Sequence, residues 1–195
     1  MATIGLDSLF YSKITENELG EESYATPRVL AKAISADISV ELAEASLFAD
    51  DGESEVVKMF KSGTMSLNVD DIGTAVAEDL TGAKVDDNGA LVSGSEDTAP
   101  YVAVGFRALK SNGKYRYFWL YKVKFAVPST SLQTKGDSIN FATPTIEGKV
   151  IRRNRLDGLG NHPWKAEVTE GATGVSDSII TSWFNSVYEP VYAAS

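Results

Sequence analysis

A β-hairpin between Pro100 and Pro128 constrains the fold of this chain more than any other stretch. Asn112 and Gly113 tolerate a positive φ and are typical of a tight two-residue turn, and the side chains alternate in character on both flanks. With that turn, one face pairs residues that we expect to be buried together: Val102 with Val123, Val104 with Tyr121, Phe106 with Trp119, and Ala108 with Tyr117. The opposite face mixes cations with apolar groups, so it could equally be exposed to solvent or covered by a partner protein.

The size and composition predict one ordinary globular domain spanning residues 1–195. The chain has 43% hydrophobic and 23% charged residues, enough for one good core. It contains no apolar run of about 18 residues, and its N-terminus lacks the pattern of a signal peptide, so we expect no membrane partner. The absence of cysteine excludes disulfides, thiolate nucleophiles and cysteine metal sites.

The net charge of −9 is distributed unevenly along the chain. Residues 1–98 carry 20 acids and 6 bases, whereas residues 99–195 carry 7 acids and 12 bases. An acidic first half argues against a protein that grips nucleic-acid phosphates. Opposed charges favour head-to-tail contact between copies, which generates rings or filaments. The alternative is that both halves are simply solvated surface.

Two segments alternate clearly between apolar and polar side chains and are predicted to be half-buried strands. They cover residues 33–42 and 64–70, and their outer faces are uncharged or acidic. Residues 43–63 between them are long for a loop and strongly acidic, yet they keep several large apolar side chains. We interpret this segment either as an arm that docks on a neighbouring subunit or as an extension of the two strands.

The remaining segments read as further hairpins, a short helix that follows Asp71 and ends at Gly82, and a C-terminal helix. A turn at Asn88-Gly89 predicts a second tight hairpin, and residues 176–188 have the apolar stripe of a helix capped by Ser176. Sequential hairpins without βαβ alternation predict a mainly β fold, an antiparallel sandwich or barrel with a flanking α-helix.

Little in the sequence points to catalysis, a metal or a cofactor. The lone His162 lies in a turn beside a proline, and the Gly158-Leu159-Gly160 segment lacks the third glycine of a dinucleotide site. We therefore expect no enzyme activity and no cofactor. The basic cluster suits phosphate or an acidic neighbouring subunit, and we favour the subunit; it consists of Lys149, Arg152, Arg153 and Arg155. The aromatic run fits a buried core face better than a sugar platform; it consists of Tyr115, Tyr117, Trp119 and Tyr121.

The chain resembles the major tail proteins, or tail tube proteins, of long-tailed phages and prophages of Gram-positive bacteria. The resemblance lies in four segments: MATIGLDSLFYSKITE, ADISVELAEASLFADDGESEVVKMFKSGTMSLNVDDIG, VAVGFRALKSNGKYRYFWLYKVKF, and HPWKAEVTEG with SWFNSVYEP. It implies a tail tube fold whose six copies close into a ring, with rings stacking into a tube around the tape measure protein. It also implies contacts with tail terminator and distal tail or baseplate proteins, DNA only in transit through the lumen, and a place in the virion tail after assembly in the host cytoplasm.

Within that resemblance we predict two functional surfaces. The outer faces of the two strands would line the lumen with Asp37, Ser39, Glu41, Ser66, Asn68 and Asp70, whose acids would repel DNA phosphates. The arm at residues 43–63 would contact the adjacent ring. The residues predicted to make contacts between subunits are Phe48, Asp50, Asp51, Glu53, Glu55, Phe60, Arg152, Arg153 and Arg155. The alternative function is a carbohydrate-binding β-sandwich that uses the aromatic run.

Overall fold

The computed structural model describes residues 2–18, 20–49, 52–129 and 143–192, with the backbone alone for residues 46–49 and 52–55. The strands in these ranges are β1 (Thr3–Glu16), β2 (Glu22–Tyr24), β3 (Arg28–Ala31), β4 (Ala33–Ala49), β5 (Gly52–Val69), β6 (Lys84–Val85), β7 (Leu91–Val92), β8 (Tyr101–Lys110), β9 (Tyr115–Phe125), β10 (Thr145–Ile151) and β11 (Lys165–Thr169). The helices are α1 (Thr74–Thr81) and α2 (Asp177–Ser182).

The fold is mainly β and antiparallel, as the sequence predicts. Nine strands form one sheet in the order β2-β1-β8-β9-β10-β5-β4, in which β3 also pairs with β1 and β11 with β9, while β6 and β7 form a separate small hairpin. Strands β10 and β11 follow one another along the same side of β9. Within the described ranges, no helix is long and apolar enough to cross a membrane.

The central hairpin forms as β8 and β9, but its predicted register is wrong by one residue over most of its length. Val102 faces Val123 as predicted, whereas beyond a register shift Val104 faces Leu120 and Phe106 faces Phe118. A shift of one residue moves every side chain to the other face of a strand. Trp119 therefore lies on the face opposite Phe106, not beside it.

The turn explains most of this shift, because it has three residues rather than two. The amide of Lys110 donates to the Lys114 carbonyl (2.9 Å) and the amide of Gly113 to the Lys110 carbonyl (3.0 Å). Gly113 has φ 78° and Asn112 has no positive φ. This is the three-residue loop in which a type I turn is followed by a left-handed residue, a conformation that glycine adopts with the least strain.

Three other turns are built in the same way, each with an Asn or Asp in first place and a glycine in fourth. They span residues 17–21, 86–90 and 157–161, and their glycines have φ values of 76°, 84° and 78°. In the last two, the Asp carboxylate also accepts the amides two and four residues later, at 2.8–2.9 Å. These side-chain bonds fix the turns and are the reason that Asn and Asp occur at their start.

Both faces of the sheet are buried at the central hairpin. On one face, apolar side chains from β1, β3, β5, β8, β9 and β10 form the first core cluster, closed by Leu80 of α1. The alternating residues Met65, Leu67 and Val69 of β5 lie there, as predicted. On the other face, Tyr117, Trp119 and Tyr121 form the second core cluster with the C-terminal segment.

The C-terminal helix is shorter than predicted. It covers Asp177–Ser182 rather than residues 176–188, and the chain continues as turns and irregular backbone. The hydroxyls of Thr181 and Ser182 donate to carbonyls four residues earlier, at 2.8 Å, a competing bond that weakens helix interiors. The predicted apolar stripe nevertheless packs on the second core cluster through Ile179, Ile180, Trp183, Phe184 and Val187.

The segment at residues 43–63 is not a loop, because β4 and β5 continue through it as one long hairpin. Their backbones pair from Ala33 opposite Val69 to Ala49 opposite Gly52. Strand β10 pairs with β5 only from Gly63 onward. Among the described residues, the outer half of the hairpin is thus a two-stranded ribbon that leaves the body of the sheet. The arm, predicted at residues 43–63, is this ribbon, and from here on the name refers to residues 42–60.

Candidate assembly surface

Five of the six residues predicted to line a lumen lie together on one face of the sheet. Asp37 faces Ser66 across β4 and β5, Ser35 faces Asn68, and the alternation of β4 puts Ser39 and Glu41 on the same side. Asn68 donates a hydrogen bond to the Thr145 hydroxyl on β10 at 3.0 Å. The polar face therefore runs across β4, β5 and β10.

Glu41 connects the three strands of this face. Its carboxylate accepts hydrogen bonds from the Ser62 hydroxyl of β5 at 2.7 Å and from the Lys149 ammonium of β10 at 3.3 Å. Both hydrogen bonds lower the pKa of the Glu41 carboxyl below its usual value, and the one from Ser62 is the larger cause. Since both ions are about half exposed, the pair contributes little to stability, but it neutralises one acid of the face.

Strands β10 and β9 add charged residues to this face that the alternation along β4 and β5 did not predict. Glu147 and Lys149 lie opposite Ser66 and Thr64 on β5, and Lys124 lies opposite Lys149 on β9. Thr64, Lys124, Glu147 and Lys149 also line a shallow groove of about 370 Å³. The face is thus of mixed charge rather than uniformly acidic, which only the pairing of distant strands reveals.

Asp70, the sixth predicted lumen residue, lies beyond the end of β5. One of its carboxylate oxygens accepts the backbone amides of Lys32 and Asp71, each at 2.9 Å. Its role in the described structure is to join the ends of β4 and β5.

The arm exposes large apolar side chains on both of its strands. Leu42 is 54% exposed, Val57 45% and Met59 64%. Phe60 differs, because its half-buried ring stacks on Trp164 of the same chain, so this predicted contact residue anchors the arm to the body. Phe48, Glu53 and Glu55 lie in the paired part of the ribbon, and Asp50 and Asp51 lie outside the described residues.

The three predicted contact arginines are in different environments. Arg152 is exposed, and the half-exposed Arg155 pairs with Glu189 at 3.4 Å. Arg153 is fully buried and pairs with Glu189 at 2.9 Å while lying over the ring of Tyr121. Because Arg153 is buried inside the chain, its charge is not offered to a neighbouring subunit, and the prediction is corrected to the exposed Arg152 and Arg155.

Strand β4 has a free edge along its whole length. Within the described ranges it pairs with β5 on one side and with no strand on the other. It has 17 residues and contains no proline. The prediction that this strand is half-buried is wrong, because its apolar side chains Ile34, Ile38, Val40 and Leu42 are exposed. A long edge with unpaired amides and carbonyls is a template for pairing with another chain.

Three of the four aromatic residues of the predicted sugar platform are buried in the described structure. Tyr117, Trp119 and Tyr121 are at most 5% exposed. The indole of Trp119 donates to the Trp183 carbonyl at 3.0 Å and the hydroxyl of Tyr121 to the Tyr188 carbonyl at 2.8 Å. They are buried as we expected, but under the C-terminal segment. His162 lies with its Nδ1 3.1 Å from the Arg153 carbonyl.

No protein-family model and no curated protein matches the sequence. Among solved structures, the chain is similar to the anti-feeding prophage cap, described as the AFP tube terminating cap, with 10% identity and a TM-score of 0.39 over 82% of this chain and 87% of that one. It is also similar to the six-fold symmetrised anti-feeding prophage baseplate, with 8% identity and a TM-score of 0.35 over 86% of this chain and 97% of that one.

Proposed function

We propose that this chain is a structural subunit of a phage tail tube rather than an enzyme. The observation that carries the proposal is the free 17-residue edge of β4, which continues into an arm with exposed apolar side chains. Both features leave hydrogen-bonding groups and apolar surface that a second copy would satisfy.

The sheet also offers a complementary edge for such a contact. In the described residues, β2 and β3 pair only with β1, at the end of the sheet opposite β4, so each has a free side. Joining the β4 edge of one copy to the far edge of the next is a heterologous contact, which closes into a ring when the rotation permits. A ring of six and its stacking around a tape measure protein come from the family resemblance.

In this arrangement the polar face defined by Asp37, Ser39, Glu41, Ser66 and Asn68 lines the lumen. The arm reaches toward the next ring, and terminator and baseplate proteins cap the tube in the virion tail. DNA passes through without being held, since the face carries both signs of charge and no continuous basic patch.

Negative-stain electron microscopy across a concentration series tests the proposal. We expect uniform rings or hollow tubes from the wild-type chain and their loss in the double variant Ile38→Lys with Val40→Lys, which charges the β4 edge. The matched control is Ile4→Lys, which charges a side chain of β1 that is 66% exposed. A monomer at every concentration that binds an immobilised glycan panel would contradict the proposal and favour the carbohydrate-binding alternative.

A further inference from the structure

The β4–β5 hairpin has one apolar and one polar side before the arm begins. Residues directly opposite one another in an antiparallel pair share a side, and so do alternate residues along a strand. Ile38 lies opposite Met65, which is fully buried in the first core cluster, and Asp37 lies opposite Ser66 on the polar face. We call these two sides of the hairpin the core side and the polar side.

A bulge in β5 separates the arm from the body of the sheet. The pairing passes from Glu41 opposite Ser62 to Leu42 opposite Phe60, so Lys61 has no opposite residue. Because the extra residue lies in β5, the alternation of β4 continues unchanged. Glu41 is therefore on the polar side and Leu42 on the core side.

Within the arm, the two sides exchange their character. The next pair on the core side is Glu44 opposite Lys58, an ion pair at 3.3 Å whose side chains are both about half exposed. On the polar side, exposed apolar residues replace the serines and acids: Ala43 opposite Met59, and Ala45 opposite Val57. The arm thus turns an apolar surface to the side on which the body of the sheet is hydrophilic.

Strand β4 leaves a second apolar surface open on the core side. Ile38, Val40 and Leu42 are 37%, 44% and 54% exposed there, and we call these three side chains the β4 stripe. Val40 lies opposite Gly63, which has no side chain to cover it. The arm of the same chain does not cover the stripe either, because the apolar surface of the arm faces the opposite side of the hairpin.

We propose that the apolar surface of the arm packs on the β4 stripe of a second copy of this chain. A copy that lays its arm on the core side of its neighbour keeps its own polar face turned in the same direction as the neighbour's polar face. A lumen shared by successive copies requires this common direction. The contact rests on the proposed function, because it identifies the surface that the arm meets.

The positions of the two surfaces along β4 determine how the hairpins meet. The stripe and the arm surface are only about four residues apart, roughly 13 Å of strand, and stacked sheets lie about 10 Å apart. With aligned strands the two bodies would overlap, since a chain of this length has a radius of gyration of about 16 Å. The arm therefore crosses the neighbouring hairpin at a large angle, as in orthogonally packed sheets. The contact joins different surfaces, so it propagates from copy to copy.

The absence of cysteine permits a direct test by cross-linking. Met59→Cys and Val40→Cys, one of them carrying an affinity tag, are mixed and treated with a short bis-maleimide that spans the roughly 10 Å between stacked sheets. The matched control mixes Met59→Cys with Ser39→Cys, because Ser39 is the exposed neighbour of Val40 on the polar side. We expect the 59–40 heterodimer to form at least tenfold faster than the 59–39 heterodimer. Equal rates would overturn the contact.

A second measurement asks whether the side of the arm matters. In sedimentation, the double variant Val57→Thr with Met59→Thr should weaken self-association at least tenfold at an unchanged melting temperature, since both residues are exposed in the single chain and threonine suits a strand. The control is Val56→Thr, which is 43% exposed on the core side of the same strand and should change association less than twofold. Wild-type association by the double variant would also overturn the contact.

The two experiments separate this contact from the tail tube itself. Tubes that form normally while the two cross-linking rates are equal would support the tail tube and refute the contact. Specific 59–40 heterodimers from a wild-type chain that never forms rings or tubes would support the contact and contradict the tail tube.

Discussion

The ring of Phe60 stacks on the ring of Trp164 with centroids 4.4 Å apart and planes inclined by 2°. This stack joins the base of the arm to the loop before β11, two parts of the chain separated by about a hundred residues. We expect Phe60→Ala to lower the free energy of unfolding by about 2 kcal/mol in urea denaturation, because burial and the ring pair are both lost.

Met59, the neighbour of Phe60, supplies the control for this variant. It is 64% exposed, so Met59→Ala should change the unfolding free energy by less than about 0.5 kcal/mol. Equal losses in the two variants would show that the Phe60 stack does not anchor the arm.

The buried ion pair between Lys122 and Glu22 yields a second prediction. The side chains are 5% and 0% exposed. Lys122→Met leaves the Glu22 carboxylate buried without its cation, and we expect a loss of about 3–5 kcal/mol in urea denaturation. Adding Glu22→Gln should restore part of the loss, because no unpaired charge then remains. A single variant as stable as wild type would contradict this account.

The close approach of β8 to an indole ring makes Gly105 sensitive to substitution. A Cβ placed there would lie 2.8 Å from ring carbons of Trp119. Gly105→Ala should therefore cost about 1–3 kcal/mol in thermal or chemical unfolding. In Gly73→Ala the new Cβ meets nothing within 4 Å, so we expect less than about 1 kcal/mol. Similar costs at the two positions would contradict the predicted clash.

The hydroxyl of Tyr11 should lose its proton at a higher pH than an ordinary tyrosine does. The pKa of Tyr11 is raised to about 12 from the ordinary value of 10. Burial of the hydroxyl is the larger cause, and the hydrogen bond that it donates to the Asp79 carboxylate (2.8 Å) is the second. The folded protein thus holds this proton more tightly than the unfolded chain does. Its contribution to stability is complete below pH 10 and is lost as the pH rises from about 10 to about 12.

Site-resolved NMR of labelled tyrosine measures the Tyr11 pKa. In Asp79→Asn the pKa of Tyr11 should fall but stay above 10, because burial is the larger cause. An unchanged pKa in that variant would exclude a contribution from Asp79.

The proposed lumen face gives a prediction about genome release. Reversing Asp37 and Glu41 to Lys removes two negative charges from the polar face and adds two positive ones per subunit, which should slow DNA ejection while tubes remain intact. Reversal of Glu18, an exposed acid in the turn after β1, is the control and should leave ejection unchanged. Wild-type ejection rates in the double variant would remove this face from the lumen.

Local patterns determined most of the strands and turns. The alternation of Met65, Leu67 and Val69 identified the buried side of β5, and Asn88-Gly89 identified the β6–β7 hairpin. These features depend on neighbours within a few residues, since side chains alternate along a strand and glycine permits the left-handed turn position. The prediction of a mainly β antiparallel fold follows from them.

Tertiary structure alone decided the face on which Trp119 lies and the burial of Arg153. Trp119 changed face because the turn has three residues instead of two, a difference of one residue that local alternation does not encode. Arg153 is buried because Glu189, 36 residues away, neutralises it, and the arm is a ribbon because β4 pairs with β5 to its end. The burial of a charge depends on a partner distant in the chain, and the register of a hairpin depends on which turn the folded backbone forms, so the sequence specifies both only through the complete fold.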